Sequence, residues 1–199
     1  MSRLVVNQVH NRYLQAPISL TVEAAQIVCL IGQSGAGKSR LLRAIADLDD
    51  HEGEILLDGV AQNQYSPSEW RKRVALLSGE SQWWHSVIGE HFLAVDEEKL
   101  ALLNLSLDAM TWQVNRPSTG EKQRLALLRA LANSPKALLL DEPTANLDSE
   151  NAQRVERLIQ AYCVNASASV LWVSHDTAQI ERVSQRHFKL EHGKIFEER

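Results

Sequence analysis

The sequence predicts an α/β fold built on a largely parallel sheet, with an antiparallel portion at its N-terminal end. Three observations carry this. The runs QIVCLIG (26–32), KALLLDE (136–142) and SVLWVS (169–174) are continuously apolar at their centres, as strands buried on both faces are. Segments with helical spacing lie between them. Strand–helix–strand alternation of this kind feeds a parallel sheet covered by helices.

Taken in order, LVVNQV (4–9) and ISLTV (18–22) read as strands, and GEILLDG (53–59), bracketed by glycines, joins them in the antiparallel portion. QIVCLIG is a buried strand ending in glycine. From Lys38, KSRLLRAIADL sets Leu41, Leu42, Ile45 and Leu48 on one helical stripe. KRVALLS (72–78) reads as a strand. Residues 87–111 have helical composition and enough polarity for a partly exposed lobe, so a helical subdomain over about 83–133 is expected within one domain spanning 1–199. GEKQRLALLRALAN (120–133) is a strong helix with Leu125, Leu128 and Leu131 in register. SENAQRVERLIQAYC (149–163) is a helix that Ser149 would cap. TAQIERVSQ (177–185) is a further helix, and HFKLEHGKIFEE (187–198) is a hairpin turning at His192–Gly193. No internal repeat, low-complexity tract or linker interrupts the chain.

Bulk properties narrow the class. A length of 199 residues suits one compact domain. The net charge of −4, from 21 basic and 25 acidic residues, is not that of a basic nucleic-acid binder, and no nucleic-acid partner is expected. The two cysteines cannot form a disulfide framework; Cys29 reads as a small buried hydrophobe, which fits a reducing cytoplasm. No apolar run approaches the ~18 residues of a membrane span. The N-terminus lacks the apolar core of a signal peptide. A soluble chain able to dock on a membrane protein is expected.

GQSGAGKS fits the pattern G-x-x-x-x-G-K-[ST] at Gly32, Gly37, Lys38 and Ser39, after a buried strand and opening a helix. Glycines let backbone wrap a phosphate, and the loop's N–H groups with the helix N-terminus aim donors at its oxygens. The stretch Gly32, Gln33, Ser34, Gly35, Ala36, Gly37, Lys38 and Ser39 is thus a nucleotide cradle, with Lys38 at the β- and γ-phosphates and Ser39 offering a hydroxyl to Mg²⁺. A ligand-free glycine turn is the bland alternative, and the coincidence of strand, loop, lysine and hydroxyl argues against it. KALLLDE ends in Asp141 and Glu142 at the carboxyl edge of the sheet, where ligands gather. Asp141 would hold Mg²⁺ and Glu142 would activate a water beyond the γ-phosphate.

The order of motifs resembles the ATP-binding cassette (ABC) ATPases. GQSGAGKS looks like their Walker A loop, PSTGEKQRLALLRAL (117–131) like the signature and its helix, ALLLDEP (137–143) like Walker B with its catalytic glutamate, TANLD (144–148) like the D-loop, and LWVSHD (171–176) like the switch strand ending in the H-loop histidine, His175. The resemblance implies an ATP hydrolase with a P-loop core, an N-terminal antiparallel portion and a small helical subdomain. It implies that two chains pair head to tail, each ATP lying between Walker A of one and the signature of the other. Ser118, Thr119, Gly120 and Glu121 would then meet the partner's nucleotide, and Asn146 and Asp148 would lie at the dimer seam; Asp148 reads equally as a cap for the following helix. Lys38, Glu142 and His175 take the catalytic roles. Gln82 is expected as the Q-loop ligand to the metal, although Gly79 and Glu80 stand where that glutamine usually falls.

Other departures from the family pattern are visible. Pro117 and Thr119 replace the usual leucine and first glycine of the signature, and threonine places a methyl where close approach to phosphate is expected; weaker sandwiching follows. The same residues also read as a helix cap, Ser118 with Glu121 in the first turn. Arg40 replaces a threonine and would give the nucleotide a different contact. Tyr13 and His10 are both placed to stack on adenine; spacing does not choose, and Tyr13 has the better ring. Trp83 and Trp84, next to the Q-loop, read equally as an interface anchor and as lobe packing.

The expected function is an ATP-powered subunit, a homodimer by family habit, that serves a separate multi-span permease from the inner face of the cell membrane. A regulatory or repair cassette without a permease and a nucleotide-binding module with little turnover stand beside it. An ordinary P-loop kinase or GTPase lacks support, because the guanine-reading N-K-x-D pattern is absent.

Overall fold

The computed structural model describes residues 2–184, 186–191 and 193–198. Two sheets organise them. The first runs β2–β1–β4–β5 and is antiparallel: β1 (Ser2–Asn11), β2 (Leu14–Glu23), β4 (Glu52–Leu57) and β5 (Val60–Ala61). The second runs β10–β9–β3–β8–β7–β6. Its strands β3 (Gln26–Ile31), β6 (Val74–Leu77), β7 (Ala137–Asp141), β8 (Ser169–Val173) and β9 (His187–Glu191) are parallel, and β10 (Lys194–Glu198) closes it antiparallel to β9. The α/β class and the mixture of parallel core and antiparallel N-terminal portion are as the sequence indicates.

The central strands are buried on both sides, and their side chains divide by a period of two. Val28, Leu30, Ala137, Leu139, Leu171 and Val173 face one core, shared with the first sheet and α1 (Lys38–Ile45). Cys29, Leu138, Leu140, Val170 and Trp172 face the other, covered by α4 (Thr119–Leu131), α5 (Ser149–Asn165) and α6 (Thr177–Val183). Burial pushes the Cys29 thiol up to about 12, so it is an inert filler. In α4, Leu125, Leu128 and Leu131 are buried as their spacing requires.

Several boundaries differ from expectation. KRVALLS is a strand only from Val74, because Lys72 and Arg73 end a helix, α2 (Pro67–Arg73), that the apolar pattern did not reveal. Ser66 and Glu69 form a capping box there with Pro67 in the first turn. The helix after the phosphate loop stops at Ile45; Asp47 turns into positive φ and Leu48 is exposed, off the expected stripe. The segment 87–111 holds only one short α-helix, α3 (Glu97–Leu102), between two 3₁₀ turns. The α5 cap is not Ser149, the first helical residue, but Asp148, as its alternative reading had it; its carboxylate accepts from the Asn151 N–H at 2.9 Å. The expected turn residue His192, like Gln185 at the end of the expected last helix, lies outside the described residues.

Candidate functional site

Three loops leave the carboxyl ends of adjacent strands. The β3 loop carries Gly32 to Gly37, the β7 loop carries Glu142, and the β8 loop carries His175. In the β3 loop the backbone turns at once: Gly32 has φ +148°, and a Cβ there would come within 2.3 Å of the Leu190 carbonyl oxygen on β9. Gly37, with φ +103°, is the N-cap of α1 and supplies no side-chain bond to it. The first amides of α1 are thus left to a ligand. Lys38 is buried, its Nζ donating to the Gly32 carbonyl at 2.7 Å and the Gln33 carbonyl at 3.0 Å. Burial lowers its pKa, while Glu142 and Asp141 pull it back up. Gln33, Ser34, Gly35 and Ser39 are exposed, and Ala36 is half-buried.

Asp141 ends β7, half-buried, in register with Val173 of β8. Glu142 adopts φ +49°, a conformation uncommon outside glycine, while its N–H donates to the Val173 carbonyl at 3.1 Å. Its Oε1 lies 2.7 Å from His175 Nε2. A carboxylate and an imidazole in contact can orient a water and take its proton.

Beside the phosphate loop, the β1–β2 turn abuts the start of α1. Tyr13 is partly exposed, with the Arg40 guanidinium 4.1 Å and the Arg12 guanidinium 4.7 Å from its ring centre. Arg12 Nη2 also donates to the Tyr13 hydroxyl at 2.6 Å. Asp49 anchors Arg40 at 3.3 Å and receives Arg43 through both carboxylate oxygens. Arg43, foremost, holds the Asp49 carboxyl below the usual range. Arg40 therefore lies against Tyr13. His10 is turned to Glu52, 3.3 Å from its carboxylate, and to the Gln8 carbonyl. Arg12 and Asp49 escaped the sequence reading; no short motif marks them.

Gln82 is exposed, and its backbone carbonyl accepts from Arg129 Nη1 at 2.9 Å. It lines a groove between β6 and α4 with Ser78, Ser81, Trp84 and Arg129, apart from the phosphate loop. It is Gly79 that runs beside Asp141: a Cβ there would lie 3.7 Å from the Asp141 carbonyl oxygen. Trp84 is 67% exposed, whereas Trp83 is half-buried; Arg129 packs over both rings.

The remaining motif opens α4. Pro117 is buried and Ser118 caps α4. Glu121 Oε2 accepts from the Ser118 hydroxyl at 2.7 Å and from its N–H at 2.8 Å, and the Glu121 N–H returns to Ser118 Oγ at 3.3 Å. Ser118, through these bonds, holds the Glu121 carboxyl below its usual range. Thr119 is exposed at the first helical position. Gly120 is pressed against the segment after β7: a Cβ would lie 3.0 Å from the Asn146 carbonyl oxygen and 3.0 Å from Leu147 Cδ2. Asn146 and Asp148 are exposed beside it.

A phosphate loop on β3, paired acids on β7 and a histidine on β8 define the class: a P-loop nucleoside triphosphatase. Comparison with known proteins gives the family. The ABC transporter family matches residues 16–145. The aliphatic sulfonates import ATP-binding protein SsuB of Zymomonas mobilis is 34% identical over 89% of this chain and 76% of its own length. The lipoprotein-releasing system ATP-binding protein LolD 1 of Chlorobium chlorochromatii is 34% identical over 85% of this chain and 77% of its own. A solved dimer of the ATP-binding cassette MJ0796, in a post-hydrolysis state bound to ADP and Pi, superposes with a TM-score of 0.82 at 26% identity, covering 100% of this chain and 98% of that one. The chain belongs to the ABC transporter family, as one of its ATP-binding, ATP-hydrolysing subunits. Among the described residues no helix is long and apolar enough to cross a membrane.

Proposed function

We propose that two copies of this chain clasp ATP head to tail and drive a separate multi-span permease from the inner face of the cell membrane. One observation carries the reading. Lys38, Glu142 and His175 share one sheet edge, while the residues resembling the signature open α4 elsewhere, at the exposed segment of Asn146 and Asp148. A site split in this way is completed by a second copy. The SsuB and LolD relatives are named as ATP-binding proteins of transport systems, which favours a transport subunit over a regulatory or repair cassette.

In this reading residues 32–39 bind the phosphates, Tyr13 with Arg40 faces the base, and Lys38 neutralises the β- and γ-phosphates. Ser39 and Asp141 offer a hydroxyl and a carboxylate, the hard oxygen donors Mg²⁺ takes, and the pull of Asp141 on Lys38 is consistent with their closeness. When bound, Mg²⁺ supplies charge neutralisation at the phosphates. Glu142 orients the attacking water and accepts its proton; His175 fixes that carboxylate and reaches the terminal phosphate. Ser118, Thr119 and Gly120 meet the nucleotide of the partner chain, and Glu121 holds their helix start. Gln82 acts from the groove with Trp84, the exposed anchor for the permease, and not from the metal.

Glu142→Gln tests the core of this reading. It is expected to lower kcat by about 100-fold or more while leaving ATP binding within about 2-fold, and to accumulate an ATP-dependent dimer on sedimentation. Hydrolysis at the parental rate would remove Glu142 from the chemistry. For the permease, the chain is expected to co-purify with a multi-span protein from detergent-solubilised membranes.

A further inference from the structure

The contact between Glu142 and His175 is made by two side chains that are each about half exposed, so their own packing does not fix it. What stands behind them is a buried polar cluster that neither the P-loop nor the signature uses. Its centre is Gln179 of α6, 3% exposed. Gln179 Oε1 accepts from the Ser174 hydroxyl at 2.8 Å, and its Nε2 donates to Thr144 Oγ1 at 2.9 Å and to Glu156 Oε1 at 2.9 Å. Thr144 Oγ1 also lies 3.3 Å from Gln179 Oε1. Ser174 precedes His175 directly and takes the Asp176 N–H at 3.1 Å, while Thr144 follows Glu142 by two positions. Glu156, itself buried, is fixed by Arg182 through both oxygens, at 2.8 and 3.1 Å.

We infer that Gln179 is a positioning residue for hydrolysis: its amide ties the loop after β7 to the loop after β8 and so sets the spacing of Glu142 and His175. The inference rests on the reading that this pair carries the chemistry. The physical reason is the one that governs any two-loop site. Each loop runs from its strand into its own helix, α5 or α6, with no backbone link to the other loop, and a buried amide with donors and acceptors on opposite sides is a short link that can hold both. A buried amide deprived of partners is costly, so the cluster resists partial opening. A misplacement of about 1 Å at reacting groups can cost about 100-fold in rate, even from a change far from the chemistry. Thr144 also begins the segment that reaches Asn146 and Asp148, so the same amide connects the expected dimer seam to the pair.

The test compares Gln179→Met, which keeps volume and removes the amide, with Thr144→Val, which removes a single partner and leaves the core otherwise intact, and with their combination. Steady-state ATPase and binding of a fluorescent ATP analogue are measured on folded full-length protein beside Glu142→Gln. The inference predicts a fall in kcat of about 10-fold for each single variant, with KM for ATP within about 2-fold. It also predicts that the double variant is no worse than the poorer single one. Should Gln179→Met fail to fold, Thr144→Val carries the same prediction. Parental kcat in folded Gln179→Met and Thr144→Val, with Glu142→Gln inactive, overturns the brace and leaves the proposed function standing. Loss of ATP binding in step with kcat also overturns it, since that marks general disruption of the fold. If Glu142→Gln itself turns over normally, the reading beneath the inference is wrong and both fall.

Discussion

Two helix starts in this chain are built from opposite principles. At α1 the cap is Gly37, no side chain bonds to the free amides, and no acid sits in the first turn. At α4 the cap is Ser118, and Glu121 completes a reciprocal box around it. Every helix start has orphan N–H groups that want an anion or a cap. The first start leaves them free beside a buried lysine, so it is prepared for phosphate before any partner arrives. The second has two of its amides, those of Ser118 and Glu121, bonded by its own side chains, and Thr119 adds bulk at its tip. A chain with one open and one self-capped start should bind ATP alone through α1, and recruit α4 only when a second copy adds enough further contact to reorganise the Ser118–Glu121 pair.

This contrast can be broken or sharpened by substitution. The largest effect is expected at the open start. Lys38→Ala removes the cation and leaves the Gly32 and Gln33 carbonyls without their donor, and should weaken ATP binding by about 100-fold or more in an equilibrium titration. At the self-capped start Ser118→Ala is expected to leave that titration unchanged. It should cost about 1 kcal/mol of folding stability by denaturant unfolding, the ordinary value of a lost cap, and weaken ATP-dependent dimerisation. If Ser118→Ala lowers ATP binding to the isolated chain, the division between the two starts is wrong.

The smallest effect is on acid stability. The Glu121 carboxyl is held below the ordinary glutamate value of 4.5, chiefly by Ser118. A depressed carboxylate contributes stability that is complete above its unfolded value and fades as pH falls through the folded one. Thermal unfolding of the parental protein should therefore lose stability below pH 4.5 slightly faster than Glu121→Gln does. Coincident pH profiles would show that the box contributes nothing measurable.

The two starts also differ in how plainly they can be read. The loop at α1 is a contiguous spacing, and the strand before it and helix after it follow from apolar runs, so its whole geometry is local. The capping role of Ser118 is local too, and was legible beside the resemblance to the signature. By the same logic α2 could have been found from Ser66, Pro67 and Glu69; its single buried apolar residue, Trp70, gave no period to detect. What no local pattern contains is contact across the sheet. Tyr13, beside Arg12, meets Arg40, itself held by Asp49, from an element 27 positions away, and Gln179 reaches Thr144 over 35 positions. The segment after β6 is a related case: Gln82 is near the family position by number along the chain, while it is Gly79 that runs beside Asp141 and Gln82 lines the groove.

The dependence of specific ATPase activity on protein concentration tests the split site most directly. A site completed only between two copies gives activity per chain that rises with concentration and levels off as dimers saturate, and the parental protein is expected to follow that curve. Constant activity per chain, down to concentrations where sedimentation finds only monomer, would contradict the account.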